Sequence, residues 1–293
     1  MAYEAKQSIP FPLETVEWRW LAFEEQLDQG FLLNLRCLLV AMKGSELKQE
    51  LVPLQAFGRK AKVDLVQTKH LLLADHLWHF HRNHLKDSLP GDSKALVGLD
   101  MGSSSTELVI LSPHGLWSRS LPIGGDHFTK RLVKALQITY ADAEQKKRSI
   151  VSEQDALMSE LPVVVQDLQE EILRSIGYYK SLEPSTELCG FAFLGNGWKL
   201  PGLKETVCAD FTTGELVTPS SGGNAEQELG SFLAEASGAS FHHAVGAAMQ
   251  RLGVGKHRIN LFPDGVAFGT SKKSAWGIDI GTCGISAVRL VHA

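Results

Sequence analysis

Apolar positions along this chain keep two rhythms, and the switches between them mark out the elements. Residues 15–23 alternate, with Val16, Trp18 and Trp20 on one side, as a half-buried strand does, and 32–42 carry a second strand-like run. Ahead of them, 3–14 reads as a helix end broken by Pro10 and Pro12, each of which disfavours helix at the residue before it. Ser45 is placed to cap a helix that runs to Phe57 and stops at Gly58. A strand is expected over 62–71, and a helix over 72–89 that Pro90 and Gly91 end. Two short apolar runs within 96–111 flank a small, hydroxyl-rich bend and predict a hairpin, with a return strand over 116–121 after Pro113, His114 and Gly115. Helical spacing then takes over at 139–149 and at 164–181, where Val164, Leu168, Ile172, Ile176 and Tyr179 form one stripe. A strand over 188–194 and a last hairpin over 276–291 complete the pattern.

The first hairpin carries chemistry in its bend. Asp100 ends a buried run, and Gly102, Ser103, Ser104 and Ser105 follow with no bulky side chain, so backbone N–H groups can close on an anion. Asp100 would repel a phosphate directly, so a water-coordinated Mg²⁺ is its natural partner; the plainer alternative is a polar turn with a capping Asp. The last hairpin repeats the grammar: Asp279, one apolar residue, Gly281, Thr282, Cys283. Two such cradles suggest one nucleotide held between them, with Asp100 and Asp279 as the metal-facing carboxylates. Paired hairpins of this kind resemble the actin, sugar-kinase and heat-shock-chaperone superfamily.

Composition narrows the classes. With 44% hydrophobic and 21% charged residues in a chain of 293, the protein is globular and long enough for two ordinary domains. The balance of 29 Lys and Arg against 33 Asp and Glu, without a basic block, argues against a reader of nucleic-acid backbones. Cys37, Cys189, Cys208 and Cys283 are scattered and read as reduced thiols of a cytoplasm. The apolar run 31–42 is broken by Asn34 and Arg36 and is too short to span a bilayer, and no signal peptide precedes it. The expectation is a soluble chain with no membrane span of its own.

Further candidates lie between the hairpins. Gly124, Gly125 and Asp126 stand where a strand becomes a helix, with Asp126 as N-cap and first-turn N–H groups free for an anion, or simply as a capped Gly-Gly turn. Glu144 and Lys147 share a helix face, the alternative being a solvated charge pair. Gly195, Asn196 and Gly197 form a strand-to-helix turn suited to a flat base or a ribose. The i, i+3 pairs His76/His79 and His81/His84 tempt a metal reading, but no cysteine completes a set and the pairs point to different faces. Residues 231–251 are rich in Ala, Gly and Ser, suited to close backbone packing, and 264–274 form a Gly/Ser/Lys linker that spans at most about 37 Å.

Taken together, the segment 3–14, Asp100 to Ser104, the run 118–126, Ala143-Glu144 with Lys147, Leu194 to Gly197, and Ala244-Val245-Gly246-Ala247-Ala248 resemble the PilM group of actin-like ATPases from type IV pilus assembly, with FtsA and the cytoplasmic part of GspL as cousins. The resemblance implies an α/β fold of duplicated actin-like (ribonuclease-H-like) domains with a small α+β subdomain. It divides the chain into a subdomain remainder (1–60), a nucleotide-binding core (61–263), a linker (264–275) and a phosphate-loop hairpin (276–293). It implies ATP and Mg²⁺ as cofactors: Asp100 and Gly102 to Ser104 as second phosphate loop, Glu144 and Lys147 on the ribose or base, Gly195 to Gly197 behind the adenosine, and Asp279, Gly281, Thr282 and Cys283 as first phosphate loop. In the family that first loop comes near the N-terminus, so this chain is either circularly permuted or a piece of a tandem array. The family's phosphate-binding Lys, seven positions after the first-loop Asp, is replaced by Ser286, a loss of roughly 1.5–3 kcal/mol in phosphate binding.

The implied function is a cytoplasmic scaffold of a type IV pilus or type II secretion inner-membrane assembly, at most a slow ATPase. It would be held at the membrane through the N-terminal peptide of a PilN-like protein, alongside other pilus or secretion assembly proteins, with a homo-oligomer left open. The rivals are a sugar- or acetate-type kinase of the same superfamily and a scaffold that has lost nucleotide. Strands near 16–20 and 35–40 offer edges to which an extended peptide could add.

Overall fold

Two separate cores organise the chain. Residues Met1–Asp75, His243–Ile280 and Ile285–Ala293 make one compact unit, and His76–His242 with Gly281–Gly284 make the other. The structure, a computed structural model, describes residues 2–28, 31–54, 63–81, 93–113, 115–209, 211, 241–262 and 273–291, and of 24–28, 31–35, 81 and 93 only the backbone.

In the first unit, helix α1 (Ala2–Ser8) leads through a short 3-10 turn, Leu13–Thr15, into β1 (Val16–Asp28), which pairs antiparallel with β2 (Phe31–Lys43) from Val16↔Lys43 to Asp28↔Phe31. Ala5 and Ile9 bury against Val16, with Leu13, Trp18 and Leu39 packed around them. That cluster reaches only the start of the expected strand face, and Trp20 on the same side is 42% exposed.

Helix α2 (Gly44–Leu51) starts straight from β2, so Lys43 is its N-cap and Ser45 lies inside it rather than capping it. It also ends earlier than expected. Pro53 has no N–H to continue the ladder, and 52–54 tighten into a 3-10 turn; 55–58 lie outside the described residues. The strand expected over 62–71 is not formed among the described residues. Residues 63–68 are irregular, with the Val66 N–H on Asn260 Oδ1 (3.0 Å) and the Leu261 N–H on Val66 O (3.0 Å). Helix α3 (Lys69–His81) takes up the end of that run. Leu71, Leu72, Leu73 and Ala74 are all buried, and a short run apolar on every side cannot be told from a strand by its period. The rest of the expected helix, 82–89, lies outside the described residues.

The second unit is built on four strands. β3 (Ser93–Met101), β4 (Thr106–Ser112) and β5 (Gly115–Leu121) form an antiparallel meander in which Leu96 pairs with Leu111 and Thr106 with Leu121. The chain then passes through α4 (Gly125–Leu136), α5 (Tyr140–Ser149), a 3-10 turn at Ala156–Glu160 and α6 (Pro162–Leu182). It returns as β6 (Thr186–Leu194), parallel to β3, for a sheet order β5-β4-β3-β6. A parallel neighbour needs such a helical crossover. The α6 stripe is as expected: Val164, Leu168, Ile172, Ile176 and Tyr179 bury with Phe128 and Leu132 of α4 against Val97, Leu99, Leu108 and Ile110 of the sheet. After β6 comes a 3-10 turn, Asn196–Lys199, and the short helix α7 (Leu203–Cys208).

Helix α8 (His242–Arg251) carries the end of the small-residue stretch, whose part 231–240 lies outside the described residues. Of the expected linker only 273 and 274 are described, and Ser274 opens β7 (Ser274–Gly281), which forms a two-stranded sheet with β8 (Gly284–Val291). In the first unit, β7 rests on α8 so closely that a Cβ on Gly277 would stand 1.7 Å from Ala244 O. No helix among the described residues is long and apolar enough to cross a membrane.

Candidate functional site

The bend between β3 and β4 is held from three sides. Gly102 N–H donates to Ser105 O (2.9 Å), which closes the turn. From α4, Gly125 N–H donates to Gly102 O (2.9 Å) and Asp126 N–H to Ser103 O (2.8 Å). A Cβ on Gly124 would meet Ser103 O at 2.6 Å and Ser105 N at 2.7 Å, so the absence of a side chain lets α4 reach the bend. This corrects the reading of 124–126: Gly124, not Asp126, is the N-cap, and the N–H groups of Gly125 and Asp126 are spent on the bend rather than left open to an anion. The Asp126 carboxylate accepts from Tyr140 Oη (2.8 Å) instead. Gly102 and Ser104 stay exposed and Ser103 partly so.

On the third side, Gly195 follows β6 with φ +87°, a conformation that suits glycine, and a Cβ there would lie 2.4 Å from Met101 O and 2.8 Å from Asp100 Oδ1. A Cβ on Gly197 would strike Met101 Sδ at 2.1 Å. Asn196 is exposed between them. The glycines of this turn thus fit it against the end of β3, and the Trp198 indole N–H fastens it to Leu99 O at 3.1 Å.

Glu144 and Lys147 come together as expected of their spacing, but they serve α4. Lys147 Nζ donates to Gly125 O (2.9 Å), to Thr129 Oγ1 (2.8 Å) and to Glu144 Oε2 (2.7 Å), while Thr129 Oγ1 donates to Glu144 Oε2 (2.6 Å) and Arg148 to Glu144 Oε1 (2.8 Å). Loss of water would raise the Glu144 carboxyl, yet the bonds from Lys147, Thr129 and Arg148 and the Lys147 charge outweigh it and hold the group down to about 2. Tyr140 moves the other way: loss of water, the bond to Asp126 and the charges of Asp126 and Glu144 push it up to about 12.

Asp100 is 5% exposed, and its Oδ1 faces His242 Nε2 at 3.2 Å. His76 stands edge-on to the His242 ring with centroids 6.1 Å apart. Of the four histidines read as a metal candidate, His76 and His79 instead pack on Phe80, the His81 side chain is not described, and His84 lies outside the described residues. An imidazole beside the carboxylate is a poor match for the all-oxygen shell that Mg²⁺ prefers, so no step is assigned to Mg²⁺ at Asp100.

The other half of the expected pair is divided. In the first unit Asp279 faces His243 Nδ1 at 3.5 Å and Lys69 Nζ at 3.9 Å. The tip Gly281–Gly284 groups with the second unit, where the Thr282 hydroxyl is hydrogen-bonded to that of Ser103. Gly281 is partly exposed and Cys283 exposed, a free thiol.

Sequence reasoning missed Glu107, His242, His243, Thr129 and Tyr140. Glu107 is the cross-strand partner of Asp100, is 8% exposed, and accepts from Ser105 Oγ (3.0 Å) and Ser120 Oγ (3.1 Å), so it steadies the end of the bend. Its signal was a charge inside a strand that is otherwise buried throughout. The adjacent histidines lay unremarked in a stretch read for its small residues.

A search of curated proteins finds no match. Among solved structures the chain is similar to a PilM–PilN type IV pilus biogenesis complex, at 22% identity and a TM-score of 0.60, over 82% of this chain and 70% of that one. Ethanolamine utilization protein EutJ from Carboxydothermus hydrogenoformans matches at 17% identity and a TM-score of 0.37, over 50% of this chain and 49% of its own. The fold is mixed α/β and actin-like. A family model for the type IV pilus assembly protein PilM matches residues 1–252, and the chain belongs to that family.

Proposed function

We propose that this protein is a nucleotide-binding scaffold of a type IV pilus assembly complex, binding ATP with slow or no hydrolysis. The observation that carries this reading is the family match joined to the bend at 102–105, a surface turn of small residues whose shape is set by its neighbours. Within the second unit, Gly102, Ser103 and Ser104 would take the phosphates, with Thr282 beside Ser103; a bound nucleotide supplies the charge they are shaped to receive. Gly195 to Gly197 would hold the adenosine side through exposed Asn196, and Glu144, Lys147, Gly125 and Asp126 form the wall that keeps α4 and α5 in place. Gly281 and Cys283 complete the tip that carries Thr282, while Asp279, in the first unit, faces His243 and Lys69. With Ser286 where the family has Lys, and no side chain assigned to activate water, turnover slower than an ordinary kinase is expected.

The partner we assign is an extended N-terminal peptide of a PilN-like membrane protein, since the similar solved structure is a complex of PilM with PilN. It would hold the chain at the cytoplasmic side of the inner membrane. The β1–β2 pair suits it as a two-stranded sheet to which a strand can be added. Calorimetry with ATP and amide NMR with such a peptide test both parts. Saturable heat at millimolar ATP and shifts over 16–20 and 35–40 are expected. No heat defeats the nucleotide reading, and shifts confined to the 195–197 side defeat the docking edge.

A further inference from the structure

We infer that Asp100 and His242 form the protein's half of a binding site for an imidazole-tolerant divalent transition ion of the zinc, cobalt or nickel class. Both side chains belong to the second unit and both are more than nine-tenths buried. A carboxylate oxygen and an imidazole nitrogen bound to one ion at about 2.0–2.2 Å, at angles between octahedral and tetrahedral, lie about 2.9–3.4 Å apart. Asp100 Oδ1 and His242 Nε2 are 3.2 Å apart, inside that bite.

Two features prepare the pair. The His76 ring stands edge-on to the His242 imidazole, with centroids 6.1 Å apart, and packs beside it. Gly195, at φ +87°, keeps any side chain away from Asp100 Oδ1, the same oxygen that faces the imidazole. The donor chemistry then selects the ion. Nitrogen beside carboxylate suits zinc-class ions, whereas Mg²⁺ demands an oxygen octahedron and gives up its waters reluctantly. Two protein donors leave coordination positions for water or for phosphate oxygens, as is usual where a metal accompanies a nucleotide. The last point rests on the nucleotide reading; the pair itself does not.

Cobalt is the probe, because its visible d–d bands report the shell directly. The untagged full chain is titrated with Co²⁺, with and without ATP, beside Asp100→Asn and His242→Asn. The expected result is a saturable d–d spectrum that Zn²⁺ displaces, that a hundredfold excess of Mg²⁺ leaves in place, and that weakens by about tenfold or more in each variant. A spectrum indifferent to His242→Asn, displacement by Mg²⁺, or thiolate charge-transfer bands that persist in both variants overturns the inference. Should either variant misfold, the unmodified protein still answers, since Zn²⁺ must move the His242 ring signals in NMR and unmoved signals reject the site. Co²⁺ binding that ignores ATP supports the site and counts against the nucleotide reading. ATP binding with Co²⁺ indifferent to His242 does the reverse.

Discussion

The two hairpins that share the D-x-G-[ST] grammar are built to opposite plans. The one at Asp100 sits inside a four-stranded sheet, with β4 buried along its whole length and the bend tied to α4 by backbone N–H groups. The one at Asp279 belongs to a two-stranded sheet whose second strand alternates between exposed and half-buried, with Trp276 63% exposed. The same short motif therefore specifies a turn and a carboxylate, while rigidity comes from what packs around it. In the first hairpin that support is hydrogen bonding to a bend; in the second it includes a close backbone approach, Gly277 on α8.

The strongest way to break the comparison is to remove that approach. Gly277→Val puts side-chain atoms where Ala244 O already stands, so the hairpin should lift from α8 at a cost of about 3 kcal/mol. Denaturant melts should show the loss, and limited proteolysis should cut within 273–291 first. Protection equal to that of the unaltered protein would mean that Gly277 is not the anchor.

Acid probes the support of the first hairpin. Glu144 is held at about 2 in the folded chain against an ordinary 4.5, so its contribution is fully present above about pH 4.5 and is lost as pH falls toward 2. For a side chain a quarter exposed this amounts to about 2–3 kcal/mol. Glu144→Gln should lose that amount at neutral pH and flatten the acid limb of the stability curve. An acid limb with unchanged slope would place the sensitivity elsewhere.

A smaller effect sharpens the link between the hairpin tip and the bend. A double-mutant cycle on Ser103→Ala and Thr282→Ala should give a coupling of about 0.5–1 kcal/mol in stability, since their hydroxyls share one exposed hydrogen bond. Strict additivity would remove that bond from the account. Smallest of all, Gly284→Ala meets nothing within 4 Å and should change the melting midpoint hardly at all, within about 0.5 kcal/mol.

Much of this was legible beforehand where a local rule acts alone. The α6 stripe, the β3–β4 hairpin and the pairing of Glu144 with Lys147 follow from spacing, and the structure keeps each of them. Misreadings fell where tertiary packing decides. The strand reading runs on into the helix because the stretch it enters, Leu71 to Ala74, is buried on every side and has no polar face to betray its period. Ser45 has the chemistry of a cap, but the preceding strand runs directly into the helix and leaves it two positions too late. Asp126 likewise has the right side chain, yet glycine at 124 is what the tight contact with Ser103 requires. His242 could not be found from spacing, since it meets Asp100 across 142 positions of sequence.

One arrangement has a consequence in time rather than in space. First-turn amides of a helix ordinarily face water and trade their hydrogens quickly. In α4 the amides of Gly125 and Asp126 are given to carbonyls of the bend, and Lys147 ties Gly125 O to α5. Releasing either hydrogen to solvent requires the bend, the helix start and the Lys147 bridge to part together. These amides should exchange slowly and at one shared rate, so that a surface turn keeps the clock of the interior.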